Sequence, residues 1–336
     1  MNRLERRVAI LSGKRGGTFH PNQYWIESAR RARVARSLRT RLRVMQPVVL
    51  LTPRWSSARR FLDDLATDLM IDEPEILCRT LDCTSLQGLT QHQAWAYLVD
   101  ALTELSGVHL GGPAWQAVSR SGFRSVVDNL LEAMQEGPRR CLMLHAIQHI
   151  PFEAFEDLIV AFEAYRDRLT EPPRFNVVVA GTIAGDLVRV QGAGRPIVLP
   201  DYSHAEAVEA LVEDLGPMPE HQLSAVVDLV GGVPAVLETL AQQGREVLTQ
   251  IVADPDSFWQ HLGTLAAEIR GAFDIVASDQ QLHHRLERLA ADGPLPEHLL
   301  LDRQLLLAGM VIRAPQRLGR QMQMRSPVFS DYALNH

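Results

Sequence analysis

The segment from residue 48 to residue 62 has the layout of a phosphate-binding site, because a short apolar strand is followed by a loop and a helix. In such a site the backbone N–H groups of a glycine-rich loop hold the phosphates, a lysine contacts them, and a hydroxyl group binds magnesium. The pattern G-x-x-x-x-G-K-[ST] places Thr52 and Ser57 at the glycines, Ala58 at the lysine and Arg59 at the hydroxyl residue. All four defining positions differ, which predicts a vestigial nucleotide site without catalytic residues.

The apolar run at 141–144 gives a second, independent indication. An ATPase ends the corresponding strand with an acidic pair, of which one residue holds the metal and the other activates water. Here His145 and Ala146 occupy those positions, and neither is a carboxylate. We therefore predict that the chain is not an enzyme, and we expect neither a bound cofactor nor a bound metal.

Three other features have more than one interpretation. Trp55 lies inside the vestigial loop, where its indole either fills the space that phosphates need or is presented to a partner. The lysine of the segment 13–18 precedes a glycine pair, and Pro21 follows where a helix should start, which favours a structural turn over a phosphate loop. His145 and His149 are four residues apart, but no cysteine or carboxylate nearby completes a zinc site.

Alternating strands and helices would position these residues. Short apolar runs bounded by Pro, Gly or charge predict buried strands of a parallel sheet, and the stretches between them have the apolar spacing of helices. The predicted strands are 47–51, 76–81, 141–144, 175–180 and 196–199, and the predicted helices are 58–70, 90–105, 119–134 and 152–169. The predicted fold class is α/β.

The second half of the chain is predicted to be mostly helical. Ser203 and Glu206 form a capping box, a later helix ends at Gly231, and Pro234 suits the first turn of the next helix. Two short strands flank a turn at 314–319 after the last long helices, which is the arrangement of a winged helix. The predicted domains are a nucleotide-binding type domain at 1–200, a helical lid at 201–255 and a winged helix at 256–336.

Composition excludes several classes of protein. The 336 residues are 46% apolar and 22% charged, which is ordinary for a globular protein. No uncharged apolar run approaches the roughly 18 residues that span a membrane, and the run at 8–11 is too short for a signal peptide. Three cysteines do not make a disulfide framework. We expect a cytoplasmic protein.

The charge is distributed unevenly. Residues 1–60 carry a net charge of +13 and the remainder carries −19. A helix over 29–43 that buries Leu38 and Leu42 would leave its arginines on the solvated side, where they could bind nucleic-acid phosphates, an acidic partner, the chain's own acidic part, or only solvent. The candidate contacts are Arg30, Arg33, Arg36, Arg39, Arg41 and Arg43, together with Arg317 and Arg320 of the predicted wing.

An ordered set of motifs resembles the bacterial AAA-like ATPases of the STAND class, the signal-transduction ATPases with numerous domains. The N-terminal GGTFHPNQYWIE resembles that family's GGT-x-x-P segment, and GGVP at 231–234 matches its G-G-x-P turn. Further similar segments are LDCT at 81–84, FNVVVAGTIAGD at 175–186 with Thr182 near the sensor position, LPDYSHAE at 199–206 and SPVFSDY at 326–332.

The resemblance implies an AAA+-like P-loop core with a parallel sheet, a helical lid and a C-terminal winged helix. Because the nucleotide-site residues are replaced, it also implies an inactive member that acts as a scaffold or adaptor for protein partners in a bacterial signalling or antiphage-defence system. Two alternatives stay open. One is a switch that binds ATP or ADP through Arg54 and Arg59, and the other is a DNA-binding subunit that uses the arginine-rich helix and the wing.

Overall fold

The computed structural model describes residues 29–108, 119–182, 190, 192–216, 218–313 and 321–335. These residues divide into two compact units. The first unit contains the described residues of 33–52 and 58–198, and the second contains those of 29–32, 53–57 and 199–336. The segment Pro53–Ser57 therefore belongs to the second unit, although it follows the first strand of the first unit directly in the chain.

A parallel sheet forms the centre of the first unit. Its described strands are β1 (Val48–Leu51), β2 (Ile76–Asp82), β3 (Arg139–His145), β4 (Phe175–Gly181) and β5 (Ile197–Val198), in the spatial order β2-β3-β4-β1-β5. The helices in this part of the chain are α1 (Ala29–Arg43), α2 (Ala58–Asp72), α3 (Gln91–Ser106), α4 (Arg120–Met134) and α5 (Phe152–Arg168). The predicted α/β class, with a parallel sheet, is confirmed.

The register of the sheet determines which side chains meet at its carboxyl edge. All pairs among these strands are parallel, so their carboxyl ends lie along one edge, where α/β proteins place their ligands. The last residue of β2, Asp82, is paired directly with the last residue of β3, His145. A short helical turn follows each of these two strands, over Cys83–Leu86 and Ile147–His149.

The core of the first unit is built from the faces of α3, α4 and α5 that contact the sheet. Trp95 of α3 stacks on Phe123 of α4 with ring centroids 5.3 Å apart, and Phe162 of α5 contacts Phe175 of β4. Arg140 of β3 is buried and donates to backbone carbonyls at the ends of α3 and α4. These hydrogen bonds connect the start of β3 to the C-terminal ends of both helices. They also satisfy carbonyls that have no partner within a helix.

The second unit is largely helical. Its helices are α6 (His204–Leu215), α7 (Glu220–Val230), α8 (Pro234–Gln243), α9 (Arg245–Ala253), α10 (Phe258–His261), α11 (Thr264–Ala277), α12 (Gln280–Asp292), α13 (Leu299–Ala308) and α14 (Pro327–Asn335). A small antiparallel sheet of order β6-β8-β7 lies among the last of them, with strands β6 (Leu295–Pro296), β7 (Val311–Arg313) and β8 (Gln321–Met324). The predicted turn at 314–319 lies outside the described residues.

Local signals in the sequence are confirmed in this unit. Ser203 caps α6 and Glu206 closes a capping box. Gly231 follows the end of α7, and Pro234 lies in the first turn of α8. Gly309 ends α13 in the left-handed conformation at φ 83°, which glycine adopts without steric cost. None of the described helices has both the length and the apolar character needed to cross a bilayer.

The arginine-rich segment is helical as predicted, but one of its arginines is not on the solvated side. Leu38 and Leu42 are buried as expected. Arg31, which was expected to face solvent, is fully buried. The reason is a set of internal acceptors: its Nε donates to the carbonyl oxygen of Pro200 at 3.0 Å, and its Nη2 to that of Ser56 at 2.7 Å.

Candidate functional site

A cluster of charged side chains lies at the carboxyl edge of the sheet in the first unit. The Nη1 of Arg59, in the first turn of α2, donates to Oδ2 of Asp82 at 2.7 Å. The Nδ1 of His145 lies 3.4 Å from the other carboxylate oxygen, which also accepts from the backbone N and the hydroxyl of Thr84. Both carboxylate oxygens of Asp82 are therefore engaged by the protein itself.

The surroundings set the charges of this cluster. Burial raises the pKa of Asp82, but the hydrogen bonds from Thr84, with His145 and Arg59 nearby, outweigh burial and hold it below its usual value. Burial lowers the pKa of His145, although Asp82 opposes that shift. At neutral pH the carboxylate is ionised and the imidazole is neutral, with its Nδ1 proton directed to the carboxylate.

Ala146 stands where an ATPase has its second acidic residue. It is buried and left-handed, with φ 58° and ψ 45°, a conformation that costs a residue with a Cβ roughly 1–2 kcal/mol. Thr52 and Thr182, at the ends of β1 and β4, make backbone contacts here: the N of Thr52 donates to Gly181 O at 2.8 Å, and that of Thr182 to Gln148 Oε1 at 3.4 Å. No acidic side chain follows β3 directly.

Within the second unit, three carbonyl oxygens of the segment Pro53–Ser57 accept hydrogen bonds from neighbouring residues. The carbonyl of Arg54 accepts from Nη1 of Arg325, and that of Trp55 accepts from the backbone N of Ala235 at 3.0 Å. The carbonyl of Ser56 accepts from Arg31. Three successive carbonyls are bound by cationic or N–H donors, which is the reverse of a phosphate-binding loop, where N–H groups point to an anion.

The side chains of this segment pack against the C-terminal helices and turns. The indole of Trp55 meets Phe329 edge to face at 5.7 Å between ring centroids, and the Arg54 guanidinium lies 5.1 Å from the indole centroid. A Cβ at Gly309 would lie 2.9 Å from both Arg54 Cβ and the Trp55 ring. Of the two hypotheses for Trp55, these contacts favour an indole that fills space inside the second unit. Ser57 donates to Oε2 of Glu238 at 2.8 Å.

A buried ion pair anchors the same segment. Arg325 follows β8, its side chain is fully buried, and its Nε and Nη2 each lie 2.6 Å from a carboxylate oxygen of Asp201. The remaining donor serves the carbonyls of Arg54 and Gly309. Such a bidentate pair has fixed geometry as well as charge complementarity. Arg325, one of the arginines near the predicted wing, is therefore an internal residue and not a surface contact for DNA.

The residues present do not supply the groups that a magnesium nucleotide requires. The lysine position is Ala58, whose side chain is buried, and Arg59 at the hydroxyl position is paired with Asp82. The loop carbonyls of 54–56 are engaged by donors, and Ala146 cannot activate water. Within the described residues, no group of three His, Cys, Asp or Glu side chains is arranged to hold a metal ion.

The structure separates the candidate partner-contacting arginines into two sets. Arg39 pairs with Asp68 at 2.8 Å and with Asp72, and Arg43 pairs with Glu73 at 2.6 Å. Arg41 donates to the carbonyls of residues 193 and 195. Arg30, Arg33 and Arg36 are exposed, and Arg43 is exposed as well despite its ion pair. Arg317 and Arg320 lie outside the described residues.

The sequence did not indicate the structural roles of four residues that organise these places. They are Arg31, Asp82, Asp201 and Arg325. Asp82 could have been found, because it ends the strand that neighbours β3 in a parallel sheet. The pairing of Asp201 with Arg325 joins positions 124 residues apart, and no local pattern indicates such a contact.

The comparisons with known proteins agree with the architecture. No family model matches the sequence, and no curated protein does. The solved Walker-type ATPase PABY2304 of Pyrococcus abyssi is similar with a TM-score of 0.61 and 14% identity, over 94% of this chain and 97% of that chain. Cdc6p from Pyrobaculum aerophilum is similar with a TM-score of 0.50 and 12% identity, over 94% and 96% of the two chains.

A more distant likeness is to the STAND protein PH0952 from Pyrococcus horikoshii, which has a tetratricopeptide repeat sensor. Its TM-score is 0.43 at 12% identity, and this chain matches 44% of that chain. A similarity at this level does not establish a shared fold. The two stronger likenesses concern the fold alone. The chain shares its overall α/β fold with the Walker-type ATPase PABY2304 and with Cdc6p.

Proposed function

We propose that this chain is a STAND-type protein that does not hydrolyse ATP and acts as a scaffold or adaptor, holding protein partners together in a bacterial signalling or antiphage-defence system. The observation that carries the proposal is the loop at 53–57, whose carbonyls are bound by Arg31, Arg325 and Ala235 N. Donors hold this loop through its carbonyls, whereas a phosphate-binding loop contacts its anion through its N–H groups. The link to defence rests on the resemblance of the sequence motifs.

The substitutions at the sheet edge support the same proposal independently. Phosphoryl transfer depends on a lysine, a metal held by hydroxyl and carboxylate oxygens, and a residue that orients water. Ala58, Arg59, His145 and Ala146 replace these groups in two separate stretches of the chain. A chain that acts through its surface, and not through catalysis, is expected to have all of these groups replaced.

The C-terminal part fits a scaffold built from the AAA+ plan. We infer a winged helix over 256–336, supported by α11, α12 and α13 beside the antiparallel strands β6, β8 and β7. The division between the proposed lid at 201–255 and this module is a prediction from the sequence. Both stretches lie within the second compact unit.

Calorimetric titration of the purified chain with Mg-ATP and with ADP tests the central claim. We expect no heat of binding at millimolar ligand, because neither the phosphates nor the metal has a set of partners. A Walker-type ATPase with intact lysine and hydroxyl positions serves as the positive control. Micromolar binding would contradict the proposal and establish the switch hypothesis, for which R54A and R59A are the next variants.

One observation favours the DNA-binding alternative enough to test it. Arg30, Arg33 and Arg36 are exposed along one side of α1, and such a row can neutralise several phosphates. The triple variant R30S/R33S/R36S should leave DNA retention unchanged if the scaffold proposal is right. Retention by the wild type that falls steeply with salt and disappears in the triple variant establishes the alternative. The double variant R39S/R43S, which removes paired arginines, is the matched control.

A further inference from the structure

Aromatic side chains of α10, α11 and α14 pack together in the second unit. Trp259 meets Phe258 and Tyr332 edge to face, with 5.2 Å between ring centroids in both contacts, and Tyr332 lies 4.5 Å from Phe273. Phe258 and Phe273 are buried, whereas Trp259 is only partly buried. The buried rings therefore hold the indole of Trp259 in a fixed position at the surface of the unit.

Arg270 of α11 lies on this indole. Its guanidinium carbon is 5.4 Å from the centroid of the Trp259 ring, which is within the range of a cation–π contact. Arg270 is exposed, and no carboxylate of the described residues forms an ion pair with it. The indole is therefore accessible to a guanidinium group.

The charge around Arg270 is mostly negative. Residues 246–279 include six acidic residues and one basic residue, which is Arg270. Asp256 lies one helical turn before Trp259, and Asp274 lies one turn after Arg270, so each shares a helix face with that neighbour. Both aspartates are exposed, and neither forms an ion pair within the part of the chain that the structure describes. A cationic partner would neutralise two charges that the protein itself leaves uncompensated.

The outer face of α11 is open beside these residues. No described atom lies within 4 Å of a Cβ built at Gly271, and Ile275 is 69% exposed. Gly271 directly follows Arg270, and Ile275 directly follows Asp274. A partner segment can therefore approach α11 here without displacing a described part of the second unit.

We propose that the surface formed by Asp256, Trp259, Arg270 and Asp274 binds an arginine-containing basic segment of a partner protein. A guanidinium group of the partner stacks on the indole in place of Arg270, and the two carboxylates bind further basic side chains of the same segment. The proposal rests on the scaffold function proposed above and names one surface through which the chain holds a partner. The composition fits this role, because tryptophan and arginine are enriched among the residues that contribute most to protein–protein binding.

The indole makes this surface more specific than its charge alone. Exposed carboxylates attract lysine and arginine alike, but a guanidinium group is planar, stacks on aromatic rings and is more weakly hydrated than an ammonium group. It therefore loses less solvation when it is transferred onto Trp259. The contact within the protein is itself an arginine–tryptophan pair, so we expect the partner to use arginine at this position.

Fluorescence anisotropy with labelled peptides tests the proposal on the full chain at physiological salt. The probe is a glycine–arginine repeat peptide, and in the comparison peptides lysine or glutamate replaces arginine. We expect the arginine peptide to bind most tightly and the lysine peptide to bind about threefold more weakly, because lysine gains less from the indole. The glutamate peptide should not bind.

Three variants separate stacking from charge. W259L keeps an apolar side chain without a π system and should weaken binding of the arginine peptide about threefold. D256N/D274N removes both carboxylates and should weaken the arginine and lysine peptides alike, by about fivefold. R270A leaves the indole open, so it should tighten binding of the arginine peptide about threefold.

Two matched controls account for general effects of charge. E209Q/E220Q removes two exposed carboxylates of α6 and α7 in the same unit and should bind as the wild type does. R288A removes an exposed arginine of α12 that is paired with Asp292. It should also bind as the wild type does, whereas a general effect of lost positive charge would tighten binding in R288A as much as in R270A.

Two results would overturn the proposal. One is no binding of the arginine peptide by the wild type, and the other is an equal loss of affinity in D256N/D274N and E209Q/E220Q. Unchanged affinity in W259L, when that variant unfolds cooperatively, would overturn it as well. The other variants change only exposed side chains, so the test does not depend on the folding of W259L. Failure of the scaffold proposal has a separate signature, which is heat from Mg-ATP or ADP with the wild type.

Discussion

Two arginine–aspartate pairs, one in each unit, differ in burial far more than in geometry. In the second unit, Arg325 contacts Asp201 at 2.6 Å with side-chain exposures of 0% and 11%. In the first unit, Arg59 contacts Asp82 at 2.7 Å with exposures of 62% and 20%. The distances are nearly equal, so distance alone cannot rank the two contacts.

The difference in burial predicts different consequences. Removing one partner of a buried pair leaves a charge without solvent or counter-charge, which typically costs about 3–5 kcal/mol. An exposed pair contributes about 0–1 kcal/mol, because water screens both charges. The Arg325–Asp201 pair is therefore expected to stabilise the fold much more than the exposed Arg59–Asp82 pair does.

The largest effect should come from R325A. The change leaves Asp201 without its bidentate partner and the carbonyls of Arg54 and Gly309 without a donor. We expect a loss of about 3–5 kcal/mol in the free energy of unfolding, measured by urea denaturation. R325K retains the charge but not the bidentate geometry, so its loss of stability should be smaller than that of R325A.

The double variant R325A/D201A sharpens this result. It removes both charges, so it should be more stable than R325A if the cost arises from an unpaired buried carboxylate. Equal stability of R325A and the wild type would show that the pair does not hold the 53–57 segment.

G232A should be the next most destabilising change. It tests the backbone packing next to Asp201. A Cβ at Gly232 would lie 2.0 Å from the carbonyl oxygen of Tyr202, whose own N donates to Gly232 O at 2.9 Å. Backbone atoms cannot move aside as a side chain can, so we expect a loss of about 3 kcal/mol in urea unfolding.

G271A is the matched control for G232A. Gly271 lies within α11, and nothing lies within 4 Å of a Cβ built there. Alanine has a higher helix propensity than glycine, so the free energy of unfolding of G271A should be about 0.5–1 kcal/mol higher than that of the wild type. Destabilisation of the same size in both variants would indicate that the loss in G232A has another cause than the approach of Tyr202.

E206Q should have a smaller effect that depends on pH. Glu206 is buried and accepts from Ser203 N at 2.7 Å, from Ser203 Oγ and from Arg30 N. Burial raises the pKa of Glu206, but these hydrogen bonds outweigh it and the pKa lies below the ordinary 4.5. The ionised form therefore stabilises the folded state, by about 1 kcal/mol as a cap at neutral pH.

The pH dependence follows from the lowered pKa of Glu206. The unfolded chain binds the proton first, so the stabilisation is complete above about pH 4.5 and is lost as the pH falls through the folded-state pKa. Urea unfolding of wild type and E206Q from pH 7 to pH 3 should show a difference that narrows toward acid. A difference that stays constant over this range would mean that the carboxylate charge does not matter.

The sequence predicted the elements well, because their signals are local. Apolar runs located the strands, and Ser203 with Glu206 located the start of α6. The order of the strands in the sheet was not predicted and comes from the structure. The departures from the phosphate-loop pattern at positions 52–59 could be recognised from the sequence alone.

The contacts of Arg31, Arg59 and Arg325 could not be predicted, because they join segments that are distant in the sequence. A buried Arg31 was unexpected in a helix whose other arginines are solvated or paired at the surface, since its acceptors are backbone carbonyls that no pattern of side chains indicates. The pairing of Arg59 with Asp82 required the strand order, in which β2 and β3 are neighbours. Side-chain type suggested charge at these positions, but only the fold determined which charges meet.

The smallest expected effect is that of R59A, and it decides whether burial governs the comparison. Asp82 retains its hydrogen bonds from Thr84 and its contact with His145 when the guanidinium is removed. The loss in urea unfolding at pH 7 should therefore stay below about 1 kcal/mol. A loss as large as that of R325A would mean that Arg59 is part of the structural core despite its exposure. A small loss would show that burial separates the two pairs, because nearly the same arginine–carboxylate distance then contributes much to stability at the buried site and little at the exposed one.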